Sequence, residues 1–338
     1  MYSWGDDTSD WAKPGTYAYS KATKESREAD AKRSKELGPR AYNAGQGGPN
    51  EQYTSPKKII RSQSPNPVLI AVDVTGSMQR WPAEIFDRLP LLYQTLSQYQ
   101  PDLEISFAAI GDSKCDRWPL QCTSFAKGFD LEQQLKALYG EGGGGDLPES
   151  YGLFAWWVKT HVETPNAKRP FLIIFGDAPM HTQVSEKEVQ YYLGDELAQP
   201  VDAISAFKHV SRDWNTWFLR RPGGTKNDDT DKQWAQAIGA QQVVHMDDEQ
   251  RAVDYAMGLI ARSWGFFDDF QINMSARQDN TKVKSIAERV SAIEKIIEAA
   301  KAPRVMDCPK CGAPLPASAA SMLACGYCGA NIKMPFAK

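Results

Sequence analysis

Asp73, Thr75 and Ser77 stand at alternate positions in the stretch Pro67–Met78, PVLIAVDVTGSM. A carboxylate and two hydroxyls at that spacing offer three hard oxygen donors with no Cys or His beside them, a set that suits Mg2+. The residues ahead of them say where they sit. Val68–Val72 is aliphatic, rich in β-branched side chains and without a polar break, which reads as a strand buried on both faces. The run stops at Asp73, and Thr75-Gly76-Ser77 follows as a turn that Gly76 permits. The donors therefore gather at the carboxyl end of a strand, where open α/β sheets place their ligand sites. The plainer reading is that Asp73 only caps a helix through Thr75-Gly76-Ser77.

Two further segments end in oxygen donors. The glycine loop Gly140–Ser150, GEGGGGDLPES, carries Asp146, and Asp177 follows the apolar run Phe171–Gly176, FLIIFG. The loop is not a P-loop, since no GK[ST] follows, and it lacks the strand-to-helix setting of a dinucleotide fingerprint. A flexible connection is its plain alternative. A different chemistry sits near the C-terminus. Cys308-Pro-Lys-Cys311 and Cys325-Gly-Tyr-Cys328 are separated by 13 residues, and Gly312 and Gly329 follow the two pairs. Two such knuckles make a closed tetrahedron of four thiolates for Zn2+, whose binding supplies most of the folding energy of so small a module. Cys115 and Cys122 have no further ligands near them in sequence and read as thiols. The four His, at 161, 181, 209 and 245, are scattered, and His181 reads as a loop residue without a catalytic role.

The elements that must position these groups alternate. Helical spacing covers Trp81–Tyr99, which Pro90 should kink, and Leu103–Ile110 reads as a second strand. Cys122–Ala126 is a candidate edge strand, Leu131–Leu138 a short helix, and Pro148–Thr160 a helix opened by its proline. Helices over Ser185–Leu193, Val201–Asp213, Asp231–Ile238 and Glu249–Trp264 enclose strands at Thr216–Leu219 and Gln242–His245. This alternation predicts a doubly wound, mostly parallel α/β sheet with helices on both faces. Phe266–Ala276 reads as an added strand, and Asn280–Ala302 as a long amphipathic helix.

The domain reading is a low-complexity arm over 1–66, the α/β domain over 67–265, a connecting segment over 266–303, and a zinc ribbon over 304–338. The arm reads as disordered, yet Tyr2, Trp4, Trp11, Tyr17 and Tyr19 would suit a partner surface. A net charge of −3 gives no pull towards nucleic acid or an anionic membrane. No run reaches the roughly 18 apolar residues of a membrane span. The start, MYSWGDDTSDW, has no secretory-signal pattern, and paired CxxC motifs fit a reducing compartment, so the expected location is cytoplasmic.

Residues 67–265 resemble the von Willebrand factor A domain family. Its metal-ion-dependent adhesion site uses D-x-[ST]-x-S after the first strand, a ligand from a middle loop and an Asp after the fourth strand. Asp73-Val-Thr75-Gly-Ser77 matches the first motif, and Asp177 matches the last by position. The resemblance implies a Mg2+ held by Asp73, Thr75, Ser77, Asp146 and Asp177, with an acidic side chain of a protein partner completing the metal shell. The middle loop departs from the common pattern. It has no Thr, and Asp146 in the form GGGDxPE stands in for it. That adds negative charge, which strengthens metal binding and weakens capture of a carboxylate. The C-terminal module resembles a zinc ribbon with few basic residues, which favours protein docking over nucleic-acid contact, the latter remaining an alternative. Together these imply a non-enzymatic adaptor. A further alternative is a haloacid dehalogenase-like phosphoryl-transfer enzyme with Asp73 as nucleophile, Asp177 as later metal-binding acid and Lys168 as its lysine. Against it, His181 stands where a second acid is expected, and the glycine loop has no place in that scheme.

Overall fold

The computed structural model describes residues 48–275 apart from 79–80, 129, 141–147, 168–169 and 223–227, then 283–292, and 306–307, 310, 314–315, 322–325 and 328–333. The chain forms two compact units, Met1–Val290 and Ser291–Lys338.

The first unit is built on a sheet of β1 (Pro67–Asp73), β2 (Glu104–Ile110), β3 (Leu120–Cys122), β4 (Phe171–Gly176), β5 (Asn215–Arg220) and β6 (Val243–His245), ordered β6-β5-β4-β1-β2-β3. All pairings are parallel except the edge pair β2–β3. Every residue of β1 is buried, as an unbroken apolar run between two neighbours requires. Its alternate residues serve opposite faces. Leu69 and Ala71 join one cluster with Tyr151, Trp157, Phe207 and Trp234 of α3 (Tyr151–His161), α5 (Ala203–Asp213) and α6 (Asp228–Ile238). On the other face α1 (Trp81–Tyr99) packs against α7 (Ala252–Ser263). The smaller helices are α2 (Asp130–Ala137), α4 (Glu186–Tyr192) and α8 (Phe267–Ser275). The doubly wound α/β architecture follows directly from this order. None of the described helices is long and apolar enough to cross a membrane.

Several expectations are refined. Helix α1 runs through Pro90 as one 19-residue helix. The edge strand lies at Leu120–Cys122, with Ala126 adding a single bridge to Ile105. Val201–Asp202 is a short strand on Gln183–Val184, and Asp202 then caps α5 by accepting from Ser205 N. The segment read as an added strand is the helix α8, which buries Phe267, Phe270 and Met274 at helical spacing. Of the long amphipathic helix, 283–292 is helical with Val283, Ile286, Ala287 and Val290 buried, and the rest lies outside the described residues. Residues 48–66, read as part of a disordered arm, belong to the folded unit. Ile60–Arg61 pairs with Val162–Glu163, Ile60 is buried, and Ser62 Oγ donates to Glu104 Oε2 at 2.5 Å. The rest of the arm lies outside the described residues.

In the second unit, two short antiparallel pairs are described: Met306–Asp307 with Pro314–Leu315, and Met322–Ala324 with Asn331–Lys333. Cys325 and Cys328 fall in the connection between Met322–Ala324 and Asn331–Lys333.

Candidate metal-binding rim

The rim follows from strand register. β1 and β4 run parallel with Val72 opposite Phe175, so the residues just past their carboxyl ends emerge side by side. Asp73 closes β1, and the 3-10 turn Gly76–Met78 swings Ser77 across to the segment after β4. There Ser77 Oγ donates to Asp177 Oδ1 at 2.9 Å, joining residues 100 apart in sequence. Thr75 Oγ1 lies 3.3 Å from Ser77 Oγ and donates to Asp73 Oδ1 at 2.6 Å, while Thr75 N donates to the same oxygen at 2.9 Å. Four of the five residues expected at the Mg2+ site are thus brought together. The fifth, Asp146, lies outside the described residues.

The rim is closed at its base and open at its lip. Asp73 and Thr75 are buried, Asp177 is half-buried and Ser77 is exposed. At the base, Tyr151 OH donates to Asp73 Oδ2 at 2.5 Å. Gly176 makes room for that phenol, since a Cβ there would clash with Tyr151 Oη and press on Phe218. Two arginines fix the lip through main-chain carbonyls. Arg220 Nη1 donates to Asp177 O and Nε pairs with Asp231 Oδ1 at 3.0 Å. Arg221 Nη1 donates to Ser77 O at 2.5 Å and Nε to Glu249 Oε2 at 3.1 Å.

Glu149 also reaches the base of the rim. It is 3% exposed, and its Oε2 has no hydrogen-bond partner. Burial, then the charge of Asp73, pushes its carboxyl up to about 10, with the Thr75 hydroxyl drawing it the other way. Burial, then the charge of Asp177, raises Asp73 to about 7 against the hydrogen bonds from Thr75 and Tyr151. Carboxyl groups crowded in this way are the arrangement that a divalent cation relieves. Among the described residues, no three His, Cys, Asp or Glu side chains are arranged to hold a metal ion. The donors that do converge are two carboxylates and two hydroxyls, all hard oxygens, and they fit Mg2+ in kind.

Sequence reasoning missed Glu149, Tyr151, Arg220 and Arg221. Glu149 is part of the quoted GGGDxPE form, and that was its only signal. The other three depend on packing across the sheet. His181 is structural, clasping the loops after β2 and β4: Lys114 Nζ donates to its Nδ1 at 2.9 Å, and its Nε2–H donates to Asp112 Oδ1 at 2.7 Å. Cys122 is buried in β3, where burial pushes its thiol well up, whereas Cys115 is exposed.

Of the four expected Zn2+ ligands, Cys308 and Cys311 lie outside the described residues. Cys325 is buried and Cys328 exposed. Gly329, at φ +69°, turns its N–H to Cys325 O at 2.8 Å, and Cys325 N donates to Ala330 O at 2.9 Å. This is a tight turn at the second CxxC, which the positive φ of Gly329 permits.

No family model and no curated protein matches the chain. Among solved structures, it is similar to proximal thread matrix protein 1 from the mussel byssus, at 8% identity and a TM-score of 0.43 over 61% of this chain and 49% of that one. It is also similar to the pilus adhesin SpaC from Lactobacillus rhamnosus GG, at 11% identity and a TM-score of 0.40 over 63% and 31%. The SpRpn10 VWA domain is a third, at 10% identity and a TM-score of 0.36 over 56% and 94%. The chain thus spans about half the length of the mussel protein and about a third of the adhesin.

Proposed function

We propose that the chain is a protein-interaction adaptor in which Asp73, Thr75, Ser77, Asp146 and Asp177 hold a Mg2+ at the strand-end rim and a protein partner docks there. The observation that carries this reading is the 2.9 Å bond from Ser77 Oγ to Asp177 Oδ1, which gathers the two ends of the motif at an accessible lip. The cation supplies Lewis acidity and positive charge to an incoming oxygen. The chain's own groups set its position, with Arg220 and Arg221 fixing the lip and Tyr151 fixing Asp73. The resemblance to the A-domain family implies an acidic side chain as the partner's contribution. Cys308, Cys311, Cys325 and Cys328 would hold Zn2+ in a structural ribbon that offers a second docking element, and such thiolate ligation suits a cytoplasmic setting.

The phosphoryl-transfer alternative has less support. A nucleophilic Asp73 must meet a phosphoryl group directly, but its side chain is buried at the base of the rim. The test is a pull-down with the full chain beside Asp73→Ala. Partners lost only in the variant support docking at the rim, and an unchanged set removes the rim as the docking surface. A phosphate-release assay with and without Asp73→Asn tests the alternative. Turnover that needs Mg2+ and disappears in the variant would replace the adaptor reading.

A further inference from the structure

We infer that the groove between α4 and residues 49–57 docks an extended, acidic, proline-bearing segment of a protein partner. The groove is two adjoining hollows of about 600 and 330 Å3 that share Lys57, Tyr191 and Tyr192. It lies beside β3, at the opposite edge of the sheet from β6. None of the rim residues Asp73, Thr75, Ser77 and Asp177 lines it, so this docking surface is additional to the rim and does not depend on a cation there.

The aromatic side chains of the groove are held in place by the chain itself. Trp118 carries the Arg117 guanidinium 4.6 Å from its ring centroid and meets Tyr139 edge-on at 5.6 Å. Gly48 backs the same ring, since a Cβ there would clash with it. Tyr192 OH donates to Ser113 O at 3.3 Å, and Tyr191 stands against Tyr192 at 4.9 Å with the rings at 87°. Tyr191 is 72% exposed, more than any other large apolar side chain among the described residues. Rings fixed in advance lose little entropy on binding. The short helix Glu51–Thr54 packs against β3 here, so the groove presents side chains rather than the backbone ladder of a free sheet edge. A polyproline II segment suits such walls. Its backbone needs no ladder, it is ordered before it binds, and its pyrrolidine rings pack against aromatic side chains.

Charge then selects among such segments. Lys57, Arg117 and Lys187 line the groove together with Glu51 and Glu188. Glu188 is turned to its own chain. Its Oε1 accepts from Ser113 Oγ at 2.5 Å, and its Oε2 accepts from Ser185 N and Oγ at 2.7 Å each, closing the capping box of α4. Lys57 and Lys187 are exposed, and neither pairs with an acid among the described residues. Two such ammonium groups beside an exposed ring favour carboxylates in the docked segment. The rings supply the affinity, and the lysines steer the approach and reject basic sequences.

The test is fluorescence anisotropy of the full chain in EDTA with labelled, end-capped peptides: twelve-residue repeats of Pro-Pro-Asp, Pro-Pro-Lys and Gly-Ser-Asp. The Pro-Pro-Asp peptide should bind most tightly, and equally well when Mg2+ replaces EDTA. Tyr191→Ala should weaken it about tenfold or more without lowering the melting temperature, because the ring is exposed. Lys57→Glu combined with Lys187→Glu should reverse the charge preference, so that the Pro-Pro-Lys peptide binds the tighter. Affinity in Tyr191→Ala within about twofold of wild type overturns the inference. So does equal binding of the Pro-Pro-Asp peptide and either of the others, binding by none of them, or binding that requires Mg2+. A peptide of residues 1–12, MYSWGDDTSDWA, that displaces the probe at a lower concentration than unlabelled Pro-Pro-Asp peptide does would give the groove to the chain's own arm and overturn it as well.

Discussion

Tyr151 OH donates to Asp73 Oδ2 at 2.5 Å, at the base of a rim whose opposite lip is exposed. The phenol is held by aromatic packing on Phe218 and Trp234, and Gly176 leaves room for it. Tyr151→Phe keeps the packing and removes the donor, leaving Asp73 Oδ2 buried and unpaired. The metal-free variant should lose about 1–3 kcal/mol in urea unfolding, and Mg2+ should recover part of that loss. Gly176→Ala should move the phenol and act in the same direction. Undiminished stability in both variants would mean that the bond does not hold Asp73.

The raised carboxyl groups give the metal-free protein a defined pH response. Asp73 is raised to about 7 and Glu149 to about 10, both above the ordinary carboxylate range. The folded state therefore holds protons that the unfolded chain has released, and by linkage its stability falls as pH rises through this interval. Melting temperature in EDTA should be higher at pH 6 than at pH 9. The increment from Mg2+ should grow over the same range, because the cation replaces protons that are then no longer present. A metal-free melting temperature that rises from pH 6 to pH 9 would contradict this.

Arg221 joins Ser77 O to Glu249 and so ties the lip to the turn ahead of α7. Arg221→Ala should weaken Mg2+ binding while leaving global stability within about 1 kcal/mol, since its ion pair with Glu249 is partly exposed. Calorimetric titration alongside a urea melt separates the two effects.

The Zn2+ reading predicts one Zn2+ per chain by elemental analysis, lost in Cys325→Ser. Chelation should unfold the second unit while the melting transition of the first is kept. One Zn2+ retained in Cys325→Ser would remove that cysteine from the ligand set.

The parts of this molecule that a local pattern can encode were readable in advance. Asp73, Thr75 and Ser77 lie within five residues and follow a run whose burial is written in its composition. Asp177 was reachable because FLIIFG marks a second strand of the same kind. Glu149 and Tyr151 were not, because each acquires its role by packing against residues more than 70 positions away. The helix α8 was misread because Phe266, Phe267, Phe270 and Ile272 give a β-like composition, and its helical period shows only in what it buries. Residues 48–66 look like linker because they belong to a stretch, 38–66, that Gly, Pro, Asn, Ser and Gln dominate. Yet one buried isoleucine and two buried serines, Ser62 and Ser64, are enough to seat them on the sheet domain.

The central claim is that the rim holds a divalent cation through both ends of the motif. Isothermal titration of Mg2+ into the metal-stripped full chain, beside Asp177→Asn, tests it most directly. The account predicts one Mg2+ per wild-type chain and at least about a tenfold loss of affinity in the variant, which keeps the shape of Asp177 and removes its charge. Equal Mg2+ binding by the two proteins, or none by the wild type, would contradict it.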